Sequence, residues 1–317
     1  MKAYPTRLTR QHGVAVIMAL LLTTLAITIV ASLFWQQQVE VRSIENQRLQ
    51  LQKQWILRSA LDWASLILRE DAKYSNVDTL DEPWAVPLAE TRLDQYVDNG
   101  HADADIADAT LSGGISDAQA RFNLTNLCLN GIVNPVEVAA FARLLNNAKL
   151  NPALAQATAE VMAEAKRKPL ADGANRDNQS APQMMNLTQV DDLLAVPGFS
   201  PQMLAKISDS VIFLPRATPV NVNTASAEVL AARIEGLALA DAIALVKSRN
   251  TASYRDLADF SHRLQIKPFF VSASVASVAT NYFLVNGKVR MNRAGLDVQA
   301  LIERNSMNTK LIWIREH

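Results

Sequence analysis

Residues 14–35 read VAVIMALLLTTLAITIVASLFW, and they decide the architecture of this 317-residue chain. They carry no charge, and the uncharged run continues as far as Val39. About twenty consecutive apolar residues are enough for a helix to cross the hydrocarbon core of a bilayer. The sequence therefore predicts a transmembrane segment over residues 14–36.

A short basic segment precedes this apolar run. Residues 1–13 hold no acidic residue and end in Gly13. Their basic side chains are Lys2, Arg7, Arg10 and His12. The first charge after the run is Glu40. Because positive charge is retained on the cytoplasmic side, the N-terminus is predicted to be cytoplasmic.

The apolar run is not followed by a small-residue cleavage site, as it would be in an ordinary secretory signal. A polar, helical sequence comes next, QQQVEVRSIENQRLQLQKQW at 36–55. If a peptidase acts, the candidate junction is therefore Gly13–Val14, which removes a leader of residues 1–13 and leaves the anchor on the protein. An uncleaved single-pass anchor is the alternative.

The helix is predicted to continue well beyond the membrane. No glycine lies between Gly13 and Gly100, and no proline lies between Pro5 and Pro83. Since nothing breaks a helix here, one helix is expected from Val14 to about Glu70.

The part of this helix after the membrane, residues 37–75, is amphipathic in its second half. One face holds Leu57, Leu61, Ala64 and Leu68, with Ile56, Ala60, Trp63 and Ile67 beside them. The opposite face holds Arg58, Asp62, Ser65 and Arg69. This spacing predicts that the second half packs on a folded domain.

Two regions with strand patterns, residues 76–129 and 280–317, are predicted to form one β region. Residues 71–110 are expected to be irregular. The predicted strands are 115–124 after a Gly113-Gly114 turn, a hairpin over 281–292 turning at Asn286-Gly287, 296–304 and 310–315. Asn-Gly between two such runs is a strong hairpin signal.

Residues 130–279 are predicted to be an inserted all-α domain. Three dipeptides place a capping residue before a proline at a helix start, Asn134-Pro135, Asn151-Pro152 and Ser200-Pro201. Thr188 with Asp191 resembles a capping box, and residues 167–183 form a polar loop. The fold class is therefore α+β, with a long helix packed on an antiparallel sheet and a helical insertion.

Composition argues against several classes of function. The chain has 31 basic and 31 acidic residues, so its net charge offers no general attraction for nucleic acid. No Gly-rich phosphate loop, HExxH or CxxC motif occurs, and none of the four histidines lies beside a nucleophile motif. An enzyme is not expected. Cys128 is the only cysteine, so no intramolecular disulfide can form, and it is interpreted as a small core residue.

The main alternative is a membrane-anchored DNA-binding protein of the competence type. Residues 196–207 and 222–236, the latter followed by 239–249, resemble helix-hairpin-helix (SAM-like) units, whose turn amides can hold a phosphate. From Leu193 to Arg249, however, five basic residues face four acidic ones. Because duplex binding depends on many phosphate contacts by Lys and Arg, these units are interpreted as packing elements.

The ordered combination of motifs resembles the minor pseudopilin K family of type II secretion systems. The basic leader with Gly13 matches, as do RFNLTNL (121–127), PVNVNTAS (219–226) and the strand that starts at Tyr282-Phe283. The resemblance covers nearly the whole chain.

This resemblance implies a pilin-like fold and a single-pass protein of the bacterial inner membrane, with most of the chain in the periplasm. It implies cleavage by the prepilin peptidase between Gly13 and Val14 and N-methylation of Val14. It also implies a place at the pseudopilus tip, in a complex with the I- and J-type minor pseudopilins and in contact with other type II secretion components. Nucleic acid is not an expected partner.

One position bears on the tip role. Most pilins carry glutamate at the fifth mature position, where it can pair with the N-terminal amine of a neighbouring subunit, but here that position is Met18. A carboxylate in lipid is costly without a partner, so a subunit with no neighbour above it is better served by methionine. The alternative is that Met18 is an ordinary lipid-facing residue.

Relatives often bind calcium in an acidic loop, and this chain departs from that pattern. Its weak candidate ligands are Glu164, Asp172 and Asp177. Lys166, Arg167 and Lys168 occupy the same region, and calcium requires several oxygen ligands. No cofactor is therefore predicted.

Overall fold

Helix α1, His12–Tyr74, is the longest element of the computed structural model. The structure describes residues 12–93, 109–166, 186–264, 271–291, 294–306 and 308–316. The chain divides into two compact units, Met1–Ile56 and Leu57–His317. The first unit is helical wherever it is described. The helix begins two residues before the predicted start and ends four residues after the predicted end.

The second unit contains the sheet and the remaining helices. The helices are α2 (Pro135–Asn147), α3 (Leu154–Lys166), α4 (Pro201–Ile207), α5 (Ala227–Arg233), α6 (Leu239–Arg249) and α7 (Leu257–Arg263). The strands are β1 (Leu88–Arg92), β2 (Thr110–Asp117), β3 (Phe122–Asn123), β4 (Cys128–Leu129), β5 (Ile132–Val133), β6 (Val211–Ile212), β7 (Val220–Asn221), β8 (Ala276–Ser277), β9 (Tyr282–Met291), β10 (Ala294–Arg304) and β11 (Thr309–Glu316). Short 3-10 helices occupy Pro83–Ala85, Ala118–Ala120, Leu124–Leu127 and Val190–Ala195.

Five strands form an antiparallel sheet in the order β1-β2-β9-β10-β11. The last three strands follow one another along the chain. Between β2 and β9 the chain leaves the sheet and forms helices α2 to α7 before it returns. The predicted α+β class, with a long helix on an antiparallel sheet and an inserted helical part, is confirmed.

The sheet is covered on both faces because its strands alternate apolar side chains. One face packs against the predicted apolar stripe of α1 and against Trp84. This cluster contains Leu61, Ala64, Leu68, Trp84, Phe283, Val285, Ala300 and Ile302. The other face packs against the segment around β6, in a cluster of Ala118, Ile212, Leu214, Tyr282, Leu284 and Leu301. Burial of such apolar surface stabilises the unit by about 25 cal/mol per Å².

The helical part has its own large core, which includes Phe141, Leu145, Leu230 and Phe260. This core also takes in Phe122, Leu124, Leu127 and Cys128, which precede the predicted start of the helical domain at residue 130. Cys128 is fully buried, as its interpretation as a core residue requires. The domain boundaries at 130 and 279 remain predictions.

Two turn predictions are wrong, and one contact explains both. Strand β9 runs straight through Asn286-Gly287, and β2 runs straight through Gly113-Gly114. Gly113 lies opposite Gly287. A Cβ on Gly113 would lie 2.2 Å from the carbonyl oxygen of Asn286, and Leu57 packs 3.3 Å from the Cβ position of Gly287. These glycines therefore permit close approach within a strand and form no turn.

The two-residue Asn-Gly hairpin of the described chain lies elsewhere, at Asn130-Gly131 between β4 and β5. Both residues have positive φ, 55° and 82°, as a type I′ turn requires. The register of β9 and β10 pairs Met291 with Ala294, so their connection is residues 292–293, which the structure does not describe.

The other element predictions had mixed outcomes. The strands predicted at 296–304 and 310–315 lie within β10 and β11. The predicted strand 115–124 is interrupted after Asp117 by a 3-10 turn, and only Phe122–Asn123 beyond it form a strand, β3, which pairs with β6 instead of the main sheet. Strand β1 lies in a segment predicted to be irregular. The loop predicted at 167–183 lies outside the described residues.

The cap predictions also differ in outcome. Asn134 and Ser200 cap α2 and α4. Helix α3 starts at Leu154, two residues after the proline expected to open it. The cap predicted for Thr188 and Asp191 is shifted by one residue, since Asp192 accepts from the Thr188 and Gln189 amides (2.7 and 3.0 Å).

Candidate processing site and polar junction

The predicted processing site lies in the first turn of α1. A Cβ placed on Gly13 would have no described atom within 4 Å, and Val14 is 57% exposed. Nothing in the described chain therefore covers the Gly13–Val14 peptide bond.

The residues that follow form an apolar helix surface with no cover from the described chain. Met18 is 58% exposed, and the other large apolar side chains up to Phe34 are exposed to a similar degree. By length and composition, this helix is sufficient for one membrane span in the described chain. The protein therefore carries an apolar helix that fits a membrane anchor.

The second unit contains a buried polar network that the sequence did not reveal. We call it the polar junction and define it by five side chains that come from five separate segments. They are Asp71 in the last turn of α1, Asp78 in the following loop, Asp117 at the end of β2, Asn221 in β7 and Arg304 at the end of β10.

Arg304 neutralises two of the carboxylates in the polar junction. Its guanidinium donates to Asp71 Oδ2 (2.7 Å), to Asp78 Oδ1 and to the carbonyl oxygen of Thr280 (3.2 Å). The three charged side chains are only 3–9% exposed. The Arg304 guanidinium also lies 4.5 Å from the centre of the Phe283 ring, so it contacts the sheet core as well.

Asp117, at the end of β2, is joined through Asn221 to the middle of the helical part and to the loop after α1. Asn221 Nδ2 donates to the backbone oxygen of Asp78 (3.1 Å) and to Asp117 Oδ2 (2.9 Å). Asp117 also accepts from Thr224 Oγ1 (2.6 Å) and from the Gln119 amide (2.7 Å). The end of β2, the middle of the helical part and the loop after α1 are therefore held by one set of hydrogen bonds.

Burial has a direct effect on the acidity of this network. Asp117 has no charged partner among its hydrogen-bond donors, and desolvation raises its pKa to about 6. The hydrogen bonds from Thr224 and Asn221 oppose that rise but do not cancel it. Burial also raises the pKa of Asp71, although Arg304 opposes the rise.

The two motifs that carried the family resemblance have structural roles in these contacts. In RFNLTNL, the amides of Asn123 and Asn126 bind the backbone and side chain around Thr218. In PVNVNTAS, Asn221 serves the polar junction, and Asn223 exchanges two hydrogen bonds with the Tyr254 backbone (2.8 and 2.9 Å). The hydrogen bonds of these two motifs join segments within the helical part and connect the helical part to the sheet.

The predicted helix-hairpin-helix units are present as helix pairs, but their cations are used internally. Arg233 forms a buried ion pair with Glu137, and Arg249 donates to the carbonyl oxygens of Val222 and Ala225. Arg216 pairs with Glu303. Only Lys206 and Lys247 of the five basic residues remain exposed without a described partner, which favours packing over phosphate binding.

Comparison with known proteins now adds to this geometry. Two family models described as "Type II secretion system (T2SS), protein K" match residues 120–216 and 220–280. The chain is 30% identical to a type II secretion system protein K of Pseudomonas aeruginosa over 310 residues, which covers 89% of this chain and 85% of that protein. The chain belongs to the type II secretion system protein K family.

Two further similarities agree with this membership. A protein K of Aeromonas hydrophila is 26% identical over 274 residues, or 78% of each chain. The fold is similar to that of a chain in the GspK-GspI-GspJ complex of the enterotoxigenic Escherichia coli type II secretion system. The TM-score is 0.64 at 21% identity, with 87% of this chain and 99% of that chain covered.

Of the three weak calcium candidates, the structure describes only one. Glu164 is exposed on α3, and Asp172 and Asp177 lie outside the described residues. A different group of three carboxylates, Asp71, Asp78 and Glu82, has ligand atoms within 4.8 Å of one another. Arg304 pairs with the first two, and Glu82 accepts from Trp84 Nε1 (2.6 Å) and the Thr79 amide (3.0 Å), so the chain itself satisfies these oxygens.

The polar junction could have been anticipated only in part. Arg304 ends an alternating strand, so it is a polar residue in a strand pattern, whereas Asp117 lies among other polar and small residues and carries no such signal. Their sequence separations from their partners exceed 100 residues, as for Asp117 and Asn221. No local pattern pairs residues at that distance.

Proposed function

We propose that this protein is a minor pseudopilin that caps the tip of the type II secretion pseudopilus and thereby supports protein secretion across the outer membrane. Its membership of the protein K family over most of its length is the observation that carries the proposal. The solved chain of similar fold belongs to a complex with GspI and GspJ, so the partners proposed here are minor pseudopilins of the I and J types.

The exposed apolar helix supports anchoring in the inner membrane. The basic leader predicts a cytoplasmic N-terminus, and the second unit then lies in the periplasm. Cleavage by the prepilin peptidase at Gly13–Val14, followed by N-methylation of Val14, leaves the apolar segment on the mature subunit. A methylated amine at the start of this helix can then enter a fibre.

Two independent features support the tip position. Met18 lacks the carboxylate that would pair with the amine of a subunit above it, and its thioether is stable in lipid without a partner. Helices α2 to α7 form a second hydrophobic core beside the sheet and the long helix that make up the pilin-like part of the chain. That volume occupies space that a further subunit would need.

The experiment that tests this proposal combines mass analysis with co-purification. The membrane-extracted protein is analysed by intact mass spectrometry with and without the prepilin peptidase, and the I- and J-type subunits are co-expressed with it. We expect loss of residues 1–13, gain of one methyl group and co-purification of both partners. Retention of the leader in the presence of the peptidase contradicts the processing step, and failure to recover either partner contradicts the tip complex.

A further inference from the structure

The two edges of the five-stranded sheet differ in a way that indicates a docking surface. At one edge, β1 has five residues, a shift of register between Leu88 and Thr91, and an exposed charge at Glu90. Short, irregular and charged strands protect a sheet from further pairing. At the other edge, β11 has eight residues, and although it also contains charged residues and one register shift, it carries the apolar run Leu311–Ile314.

The second half of β11 is open to a further strand. It pairs with β10 alone among the described strands, and its only irregularity lies at Ile312, between the pairs Leu301–Trp313 and Ile302–Leu311. Residues 313–316 are therefore regular. Alternate backbone groups of such an edge point away from the sheet and can pair with an extended peptide.

The side chains of this half-strand line a cleft of about 390 Å³. Trp313 and Arg315 project into it from β11, and Lys166, Thr188, Phe213 and Leu214 line it from the helical part. On the other side of the strand, Ile314 is 47% exposed. An added strand would thus cover apolar surface on one face and enter the cleft on the other.

The charges in the cleft select the chemistry of the occupant. The Arg315 guanidinium lies 4.1 Å from the centre of the Trp313 ring, which holds it along the strand. Lys166 Nζ donates to the carbonyl oxygen of Cys128 (3.3 Å). Across the residues that the structure describes, neither cation forms a salt bridge with a carboxylate.

We propose that the β11 edge, residues 313–316, binds an extended acidic segment of another polypeptide by strand addition, with carboxylates of that segment placed against Arg315 and Lys166. Main-chain hydrogen bonds supply the pairing, and the two cations select an acidic over a basic segment. This surface is separate from the tip proposal, because neither Met18 nor the anchor helix takes part in it.

The test uses the full chain in detergent micelles and the peptide fluorescein-VEVEVE-amide, labelled on its N-terminal amine, whose anisotropy is followed at low salt. We expect saturable binding in the micromolar to millimolar range, and no binding of fluorescein-VKVKVK-amide. Arg315→Glu and Lys166→Glu should each weaken binding by about tenfold. Lys247→Glu, an exposed control on α6, should leave binding unchanged, and thermal unfolding checks that all three variants fold.

Two further measurements separate strand addition from attraction between charges. The peptide is N-methylated at alternate residues in both possible frames, and we expect one of the two forms to lose binding because it blocks the paired edge. Equal binding of both forms overturns the proposal, as does equal weakening by all three charge reversals. Sedimentation that shows a dimer which the peptide dissociates also overturns the proposal, because a second copy of this chain would then occupy the β11 edge.

Discussion

The anchor helix and the polar junction depart from ordinary burial in opposite directions. Around Met18 the large apolar side chains are more than half exposed. In the polar junction, Asp117 and Arg304 are buried, with 4% and 6% of their surface exposed. An exposed apolar surface requires a partner outside the chain, whereas a buried polar group is tolerated when its partners lie inside.

This difference separates what the protein does from what holds it together. The anchor has no described internal contacts at Gly13, so we expect changes there to act on the proposed processing and assembly and to leave the folded unit intact. The polar junction has internal partners from five segments, so changes there act on stability. Substitutions in the anchor should therefore change processing and assembly, whereas substitutions in the polar junction should change stability.

The largest expected effect is on processing. Gly13→Val should slow removal of residues 1–13 by roughly a hundredfold, because added carbon atoms at a position fitted to glycine are rejected by a shaped protease pocket. Intact mass spectrometry of membrane extracts measures the uncut fraction. Ala31→Ser, in the same apolar run, is the control and should be cut normally. Normal cleavage of the Gly13→Val variant would contradict the proposed role of Gly13 in processing.

In the polar junction, a large loss of stability is expected for Arg304→Leu. The change leaves Asp71 and Asp78 buried without a cation, which should cost about 3–5 kcal/mol of unfolding free energy. Urea unfolding of the full chain in detergent, followed by tryptophan fluorescence, measures it. Arg290→Leu, on an exposed position of β9, should cost less than about 0.5 kcal/mol. Equal losses for the two variants would show that Arg304 is not a buried partner.

A pH dependence is expected from Asp117. Its folded pKa of about 6 lies above the ordinary value of 3.8, so the folded state binds more protons between these values. The stabilisation is complete below about pH 4 and is lost as the pH rises through 6. The unfolding free energy of the wild type, relative to Asp117→Asn, should therefore fall by up to about 3 kcal/mol from pH 4 to pH 7. A relative stability that rises with pH would contradict this account.

A smaller effect should distinguish two adjacent glycines. In Gly113→Ala the new methyl group would meet the Asn286 carbonyl oxygen at 2.2 Å, so the strands must separate, at a cost of about 1–3 kcal/mol. In Gly114→Ala the nearest atom is Pro87 Cα at 3.7 Å, an ordinary contact, and stability should be unchanged or slightly higher. Urea unfolding of both variants makes the comparison, and equal midpoints would contradict the close approach of β2 and β9.

These glycines also show how far the sequence could be interpreted. The anchor and the apolar stripe of α1 were predictable, because the environment of a helix is reflected in its local periodicity. The turn predicted at Asn286-Gly287 was wrong, although the same dipeptide does form a hairpin at Asn130-Gly131. The dipeptide alone does not distinguish the two sites, because the difference lies in the neighbouring strand that pairs with Asn286-Gly287. Asp117 could not be assigned its partners for a related reason, since Asn221 lies 104 residues away.

The proposed tip position means that this subunit occupies only the end of the fibre. Immunogold labelling of pseudopili assembled with the full set of subunits tests it most directly, with the antibody directed to the second unit. We expect one label at one end of each fibre for the wild type, and the same position for Met18→Glu, because the helical part would still exclude a subunit above. Label at regular intervals along the wild-type fibre would contradict it.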